Sequence, residues 1–313
     1  MTTVDVLLQG SPFCDLTFTF NADSELPTLG QEVYAADFAV NPGGIFNIVA
    51  ALSALDLRVG FLTQLGNDMF SRFIGERMRA LQIPMDLVTW VDMPLPVVTA
   101  GVSFPHDRLF ISYAPPPDSV PPAPQITVEM LEDYRPRALF SYGELGSAVY
   151  RRARELGVFT YVDTAWHPER LRSAGQREAL REVDVVAPNR PEALEMTGAA
   201  TVEEALDCLA RWVDAVVVKL GAEGCRARAN GREYCVPPIP VRAIETTGAG
   251  DNFNAGFIYG RLRGYDFEDC LRCGNIVGGL STECVGGCVA AVTPAGVEAW
   301  LQKMREGNVR RGA

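Results

Sequence analysis

Glu245-Thr246-Thr247-Gly248-Ala249-Gly250-Asp251-Asn252-Phe253-Asn254-Ala255-Gly256-Phe257 reads as a loop that runs into a helix, with a carboxylate at the junction. Gly248, Ala249 and Gly250 leave the backbone unshielded, so successive amides can converge on phosphate oxygens where a helix N-terminus already favours negative charge. Asp251 then faces an acceptor hydroxyl, as phosphoryl transfer requires. The same residues also suit a glycine-rich turn in which Asp251 caps the helix. The flanks weigh against that alternative. Phe253, Phe257 and Leu262 give the helix an apolar face, while Gly256, Gly260 and Gly264 recur every fourth residue and admit a close neighbour. The spacing predicts a buried, central helix.

Outward from this stretch, apolar runs at 4–8, 60–64, 138–142, 159–163, 183–187 and 215–220 predict strands. Segments 45–55, 69–81, 147–156, 191–197 and 203–212 carry apolar residues three and four apart and predict helices between them. Such alternation predicts an α/β fold with a doubly wound, mainly parallel sheet covered on both faces and ligands beyond the strand carboxyl ends. Segments 17–40 and 94–117 break the rhythm. They hold strand-like pieces at 16–20, 32–40, 97–104 and 108–113, with many prolines and no helix between. Either they pair into one small antiparallel sheet or they are two surface excursions.

A chain of 313 residues with no disordered linker suits one core domain with a small appendage. No apolar run reaches the eighteen or so residues needed to span a bilayer. The first residues show no basic segment followed by an apolar stretch and cleavage site, so a soluble, cytoplasmic protein is expected. With 39 acidic against 28 basic residues the formal charge is −11, which predicts no nucleic-acid or anionic-membrane partner. The basic end, Arg305 to Arg311, reads as a solvated tail. Among eight cysteines, Cys270-x-x-Cys273 and Cys284-x-x-x-Cys288 loosely suggest a zinc ribbon, but the first pair falls within a helical pattern and reads better as reduced core thiols without structural disulfides. Two histidines, His106 and His167, leave little material for a serine-histidine or multi-histidine metal mechanism.

Residues 245–257 closely resemble the C-terminal signature of the ribokinase-like carbohydrate kinases, the PfkB family, D-T-T-G-A-G-D-x-F-x-A-G-F. The resemblance implies that Asp251 is the catalytic base and that the Gly248, Ala249 and Gly250 amides form an anion hole. It also implies ATP and Mg²⁺, with K⁺ left open because Glu245 stands where the family has an Asp near a monovalent-cation site. Gly286-Gly287 resembles the loop beside that site. The similarity runs from about residue 4 to residue 302.

Asn41-Pro42-Gly43-Gly44-Ile45-Phe46-Asn47 is the second glycine-rich site, open to a plain turn with Asn47 in a first helical turn. By resemblance, Gly43, Gly44 and Asn47 meet the sugar, although Asn47 stands one residue nearer the glycines than in the family and Ile45 replaces a lysine of several ribose or sugar-phosphate kinases. Asp15 has two acceptor oxygens suited to a vicinal diol, and the resemblance makes it a sugar ligand. Asp163 takes a substrate-side position too, with Trp166 and His167 nearby. Asn189-Arg190-Pro191-Glu192 has the spacing of a helix cap. It also matches an N-x-x-E motif whose Glu192 would organise Mg²⁺ through water. Asn189, Lys219, Gly221, Thr247 and Asn275 fall on the nucleotide side by the same resemblance.

The resemblance further implies a core of 1–14, 41–93 and 118–313 and a β lid of 15–40 and 94–117, whose exposed face can make a homodimer. The expected function is ATP-dependent phosphorylation of a primary hydroxyl on a sugar or sugar acid. A nucleoside kinase and a non-catalytic sensor of the same fold are the alternatives. No Gly-x4-Gly-Lys-Ser/Thr is present, and no Gly-x-Gly-x-x-Gly follows the first strand, so Walker-type and dinucleotide-binding sites are excluded.

Overall fold

The computed structural model describes residues 4–21, 27–28, 30–104, 108–283 and 292–306. His106, Cys284, Cys288, Gly286 and Gly287 lie outside them. In chain order the strands are β1 (Val6–Gln9), β2 (Pro12–Thr19), β3 (Asp37–Gly44), β4 (Val59–Leu65), β5 (Val88–Trp90), β6 (Val98–Ser103) and β7 (Arg108–Tyr113). They continue as β8 (Ala138–Ser141), β9 (Phe159–Val162), β10 (Val185–Val186), β11 (Ala215–Lys219), β12 (Cys225–Ala229) and β13 (Arg232–Val236).

Nine of these form one sheet in the order β13-β12-β11-β10-β9-β8-β1-β4-β5. It is parallel from β5 to β11 and ends in the antiparallel hairpin β12–β13. Apolar runs without alternation make this possible, because both faces are buried. Val6, Leu8, Phe140 and Val217 pack on one side with Phe253, Phe257 and Ile276. Leu7, Leu139, Val216 and Val218 pack on the other with Tyr150, Ala153 and Leu206. After β1 the chain builds outward to β4 and β5, then returns on the other side of β1 with β8 to β11, so the strand order reverses beside β1. A ligand crevice is expected at the carboxyl ends there.

The second sheet has the order β3-β2-β6-β7. The two rhythm-breaking segments do pair with each other, β2 lying antiparallel to β3 and parallel to β6. The strand expected at 32–40 is instead Asp37–Gly44, because pairing with Pro12–Asp15 draws Asn41 to Gly44 into the ladder. Gly43 and Gly44 therefore end a strand rather than form a free turn.

The helix Ala249–Leu262 is central, as its sequence predicts. A Cβ on Gly256 would lie 2.4 Å from Cys273 O, and one on Gly260 would lie 3.1 Å from Cys270 Cα, so these two glycines allow the helix Phe267–Leu280 to pack closely. Gly264 does not belong to that stripe. It follows the helix at φ +81°, the left-handed position that terminates helices and favours glycine. Cys270 and Cys273 are buried free thiols. Among the described residues no cluster of three or more His, Cys, Asp or Glu could hold a metal ion, and no helix is long and apolar enough to cross a membrane.

Candidate active site

Adjacent parallel strands deliver their last residues to one edge. Tyr142 follows β8, Asp163 follows β9, the segment after β10 leads to Asn189, and Lys219 ends β11, joined to Asn189 by an isolated parallel bridge. The helix Ala249–Leu262 enters this edge with its N-terminus. Gly248 is its N-cap at φ +74° and makes no side-chain cap bond, so Asp251 lies in the first turn and does not cap the helix. That leaves the carboxylate for other partners. Ala249 N donates to Thr246 O at 3.2 Å, while the Gly248 and Gly250 amides belong to the opening turn, where N–H groups lack intrahelical acceptors.

Tyr142 OH donates to Oδ1 of Asp251 at 2.9 Å, and Asn47 Nδ2 reaches Oδ2 at 3.4 Å. Burial, and then the negative charge of Asp163, push the Asp251 carboxyl up to about 6, against the opposing pull of these two donors and Lys219. A carboxylate poised near neutrality suits a general base. A Cβ on Gly248 would lie 2.6 Å from Asn47 Nδ2, so the glycine lets the loop close over the asparagine.

Asp15 and Asn47 line one cavity of about 230 Å³, with Gly44, Thr99, Glu245 and Thr247 around it. The smaller sheet supplies Asp15 and Thr99, which pair across β2 and β6. Gly43 is required beside Asp15, since a Cβ there would sit 1.8 Å from Oδ2. Burial and the nearby Glu245 charge push Asp15 up to about 6.

Asp163 forms a second centre. Its Oδ2 accepts from Lys219 Nζ at 2.5 Å and from Asn254 Nδ2 at 2.5 Å, while Asn254 Oδ1 accepts from Tyr161 OH at 3.0 Å. Asp163 is buried and Lys219 is largely shielded, and the extra bonds compensate part of the desolvation that such a pair suffers. Lys219 also lies near the helix start, 3.6 Å from where a Gly250 Cβ would be.

Asn189 and Glu192 form a capping box, with Glu192 N donating to Asn189 Oδ1 and Asn189 N to Glu192 Oε2, each at 2.9 Å. Glu192 Oε2 also accepts from Thr164 Oγ1 at 3.0 Å. Burial, then the charge of Asp163, raise its carboxyl above the ordinary value. With its oxygens engaged and no metal-holding cluster among the described residues, this site fits Mg²⁺ held mainly by phosphates and water better than a protein cage.

Thus Asp251, Gly248, Ala249, Gly250, Asn47, Asp15, Gly43 and Gly44 come together, as do Asp163, Lys219, Asn189 and Glu192. Thr247, expected on the nucleotide side, lines the Asp15 cavity. Gly221 opens a short turn after β11 at φ +60°. Asn275 is spent on the carbonyls of Val236 and Pro237, both at 3.0 Å, and ties the hairpin to the helix Phe267–Leu280. Trp166, near Asp163 in sequence, is 54% exposed. Sequence reasoning missed Tyr142 and Asn254. Both were within reach: Tyr142 ends a run aimed at the crevice, and Asn254 sits one helical turn after Asp251.

Residues 140–294 match the family model described as pfkB family carbohydrate kinase. An uncharacterized sugar kinase of Archaeoglobus fulgidus is 40% identical over 121 residues, which take in 38% of this chain and 48% of that protein. A ribokinase of Lactococcus lactis is 24% identical over 293 residues, 91% of this chain and 92% of that protein. The structure of Arabidopsis thaliana ribokinase complexed with ribose and ATP superposes with a TM-score of 0.77 at 21% identity, covering 96% of this chain and 99% of that one. The fold is therefore ribokinase-like, with its large mostly parallel sheet and a smaller second sheet.

Proposed function

We propose that this chain, a member of the pfkB carbohydrate kinase family through its residues 140–294, transfers the γ-phosphoryl group of ATP to a primary hydroxyl of a sugar or sugar acid. The observation that carries this reading is the Asp251 carboxylate, set in the first turn of a helix and held by Tyr142 and by Asn47, which lines the same cavity as Asp15. Asp15 and Asn47 bind hydroxyls and fix the acceptor. Asp251 takes the proton as the acceptor oxygen forms its bond to Pγ, the bond from Pγ to the bridging oxygen breaks, and ADP leaves. The Gly248 and Gly250 amides and the helix N-terminus stabilise charge on the transferred group.

Lys219, held by Asp163 beside the same helix start, reaches phosphate by exchanging one buried anion for another. Glu192 and Asn189 would hold the water shell of Mg²⁺, which would supply charge neutralisation at the phosphates. The smaller sheet acts as a lid that excludes water, with its division from the core near residues 15–40 and 94–117. Val33, Tyr34, Leu109, Ile111 and Tyr113 are exposed on its segments, which supports dimerisation through that face.

The test is an acceptor screen with Mg²⁺ and ATP over free sugars, sugar acids, sugar phosphates and nucleosides, read as ADP release and by ³¹P NMR of the product. Phosphorylation of a sugar hydroxyl supports the reading. ATP binding without transfer to any acceptor would leave a ligand sensor instead.

A further inference from the structure

Of the 28 lysines and arginines in this chain, two are lysines, Lys219 and Lys303. Lys303 is exposed on the helix Pro294–Arg305, against the ring of Trp300. Lys219 instead stands at the crevice, with 11% of its side chain exposed. A chain that meets almost every other need for positive charge with arginine places a lysine here. Arginine's planar fork suits fixed, bidentate pairing, whereas lysine is a compact point charge on a flexible stem. That chemistry suits a cation that changes partners.

The carboxylate that holds Lys219 is itself bracketed. Asn254 Nδ2 donates to the same Oδ2 of Asp163, while Asn254 Oδ1 accepts from Tyr161 OH at 3.0 Å and from Lys219 Nζ at 3.4 Å. Asn254 and Tyr161 are fully buried, so Asp163 keeps a fixed donor when the lysine leaves. Lys219 Nζ lies 3.6 Å from where a Gly250 Cβ would be, and the glycine keeps a side chain out of the space between this ammonium and the helix N-terminus. Tyr142 from the end of β8, Asp163 from the end of β9 and Lys219 from β11 face Asp251, with the neutral Asn47 amide from the helix Phe46–Ala54. The Asp163 charge raises the Asp251 and Glu192 carboxyls and the Lys219 charge lowers both. A phosphate at the helix N-terminus therefore competes with Asp163 for this cation. Once Lys219 crosses to it, Asp163 has lost its counterion and acts on Asp251 unopposed.

We propose that Lys219 is a mobile cation shared between Asp163 and the nucleotide: Asp163 holds it before nucleotide binds, phosphate draws it away, and the uncovered Asp163 charge then strengthens Asp251 as a base. Asp163 is thus a positioning residue that acts through Lys219 and Asp251, and it couples nucleotide occupancy to the readiness of the base. This rests on the kinase reading above and deepens it at the same site.

The test measures affinity for a non-hydrolysable ATP analogue with Mg²⁺ in the wild-type protein, Asp163→Asn, Lys219→Met and the double variant, with AMP as the ligand that lacks the β- and γ-phosphates. Asp163→Asn should bind the analogue about tenfold more tightly, the scale of one hydrogen bond between charged groups, and bind AMP within about twofold of wild type. In the Lys219→Met background the same substitution should change affinity by less than about threefold, since the competition is already gone. Asp163→Asn should also move the acid limb of single-turnover transfer to lower pH, a shift that a purely structural role would not produce. If Asp163→Asn does not fold, NMR of the wild-type protein labelled with ¹³Cε-lysine reads the same exchange, because two lysines give two signals and Lys303→Arg assigns them. The Lys219 signal should move with the ATP analogue and stay in place with AMP. Weaker analogue binding by Asp163→Asn, a tenfold gain that persists without Lys219, or a Lys219 signal unmoved by the analogue would each overturn the inference. The affinity and NMR readings need no turnover, so the kinase reading stands or falls separately on the acceptor screen.

Discussion

The phenol of Tyr142 donates a 2.9 Å hydrogen bond to Oδ1 of Asp251, bringing the end of β8 and the first turn of the helix Ala249–Leu262 into one unit across 109 residues of sequence. The bond fixes the carboxylate and, because it favours the charged form, opposes the burial that raises its pKa. Tyr142→Phe should therefore move the acid limb of the kcat/KM profile to higher pH and cost about tenfold at neutral pH, on the scale of one hydrogen bond to a charged group. An unmoved profile would mean that the tyrosine does not position the base.

Asp251 and Asp15 are each pushed up to about 6. Both must be ionised, one to accept a proton and the other to bind hydroxyls. We expect log kcat/KM to be flat above pH 7 and to fall below about pH 6 with a slope approaching two. A slope of one that persists at pH 5 would leave only one of them essential.

Asp15→Ala should raise the acceptor KM by at least about tenfold and leave the ATP KM within about threefold, since the lost hydrogen bonds belong to the acceptor cavity. Equal damage to both constants in a folded variant would remove Asp15 from the acceptor site.

Glu192 spends its carboxylate on the capping box and on Thr164. Glu192→Gln should raise the Mg²⁺ concentration for half-maximal rate by about tenfold or more, as loss of an outer ligand does. A changed melting temperature with an unchanged magnesium titration would make Glu192 a cap only.

Much of the architecture is written locally. Apolar runs such as Val216 to Val218 announce strands buried on both faces, and Asp251 announces its site through the glycines before it. Other features depend on partners distant in sequence. Asn41 to Gly44 look like a turn until β2 is laid beside them, which moves the strand boundary by several residues. Tyr142 and Asn254 acquire their roles only when β8, β9 and the central helix converge. The hairpin β12–β13 is a different case. Its Asn230-Gly231 turn and its alternation of buried Cys225, Ala227 and Ala229 with more exposed Arg226 and Arg228 were available in the sequence, but the expected β/α rhythm left no place for it.

The most direct measurement is single-turnover phosphoryl transfer by Asp251→Asn, alongside nucleotide affinity and thermal stability. The carboxyl rises from 3.8 to about 6 on folding, so the native state is favoured at low pH and loses stability as pH climbs through that interval. The neutral amide avoids this loss, and the variant should be as stable as the parent or more stable by about 1–3 kcal/mol at pH 7. Nucleotide affinity should stay within about threefold, while transfer falls by about 10²–10⁴-fold, the scale of removing a general base. Near-parental transfer by this folded variant would contradict Asp251 as the base and, with it, the central claim.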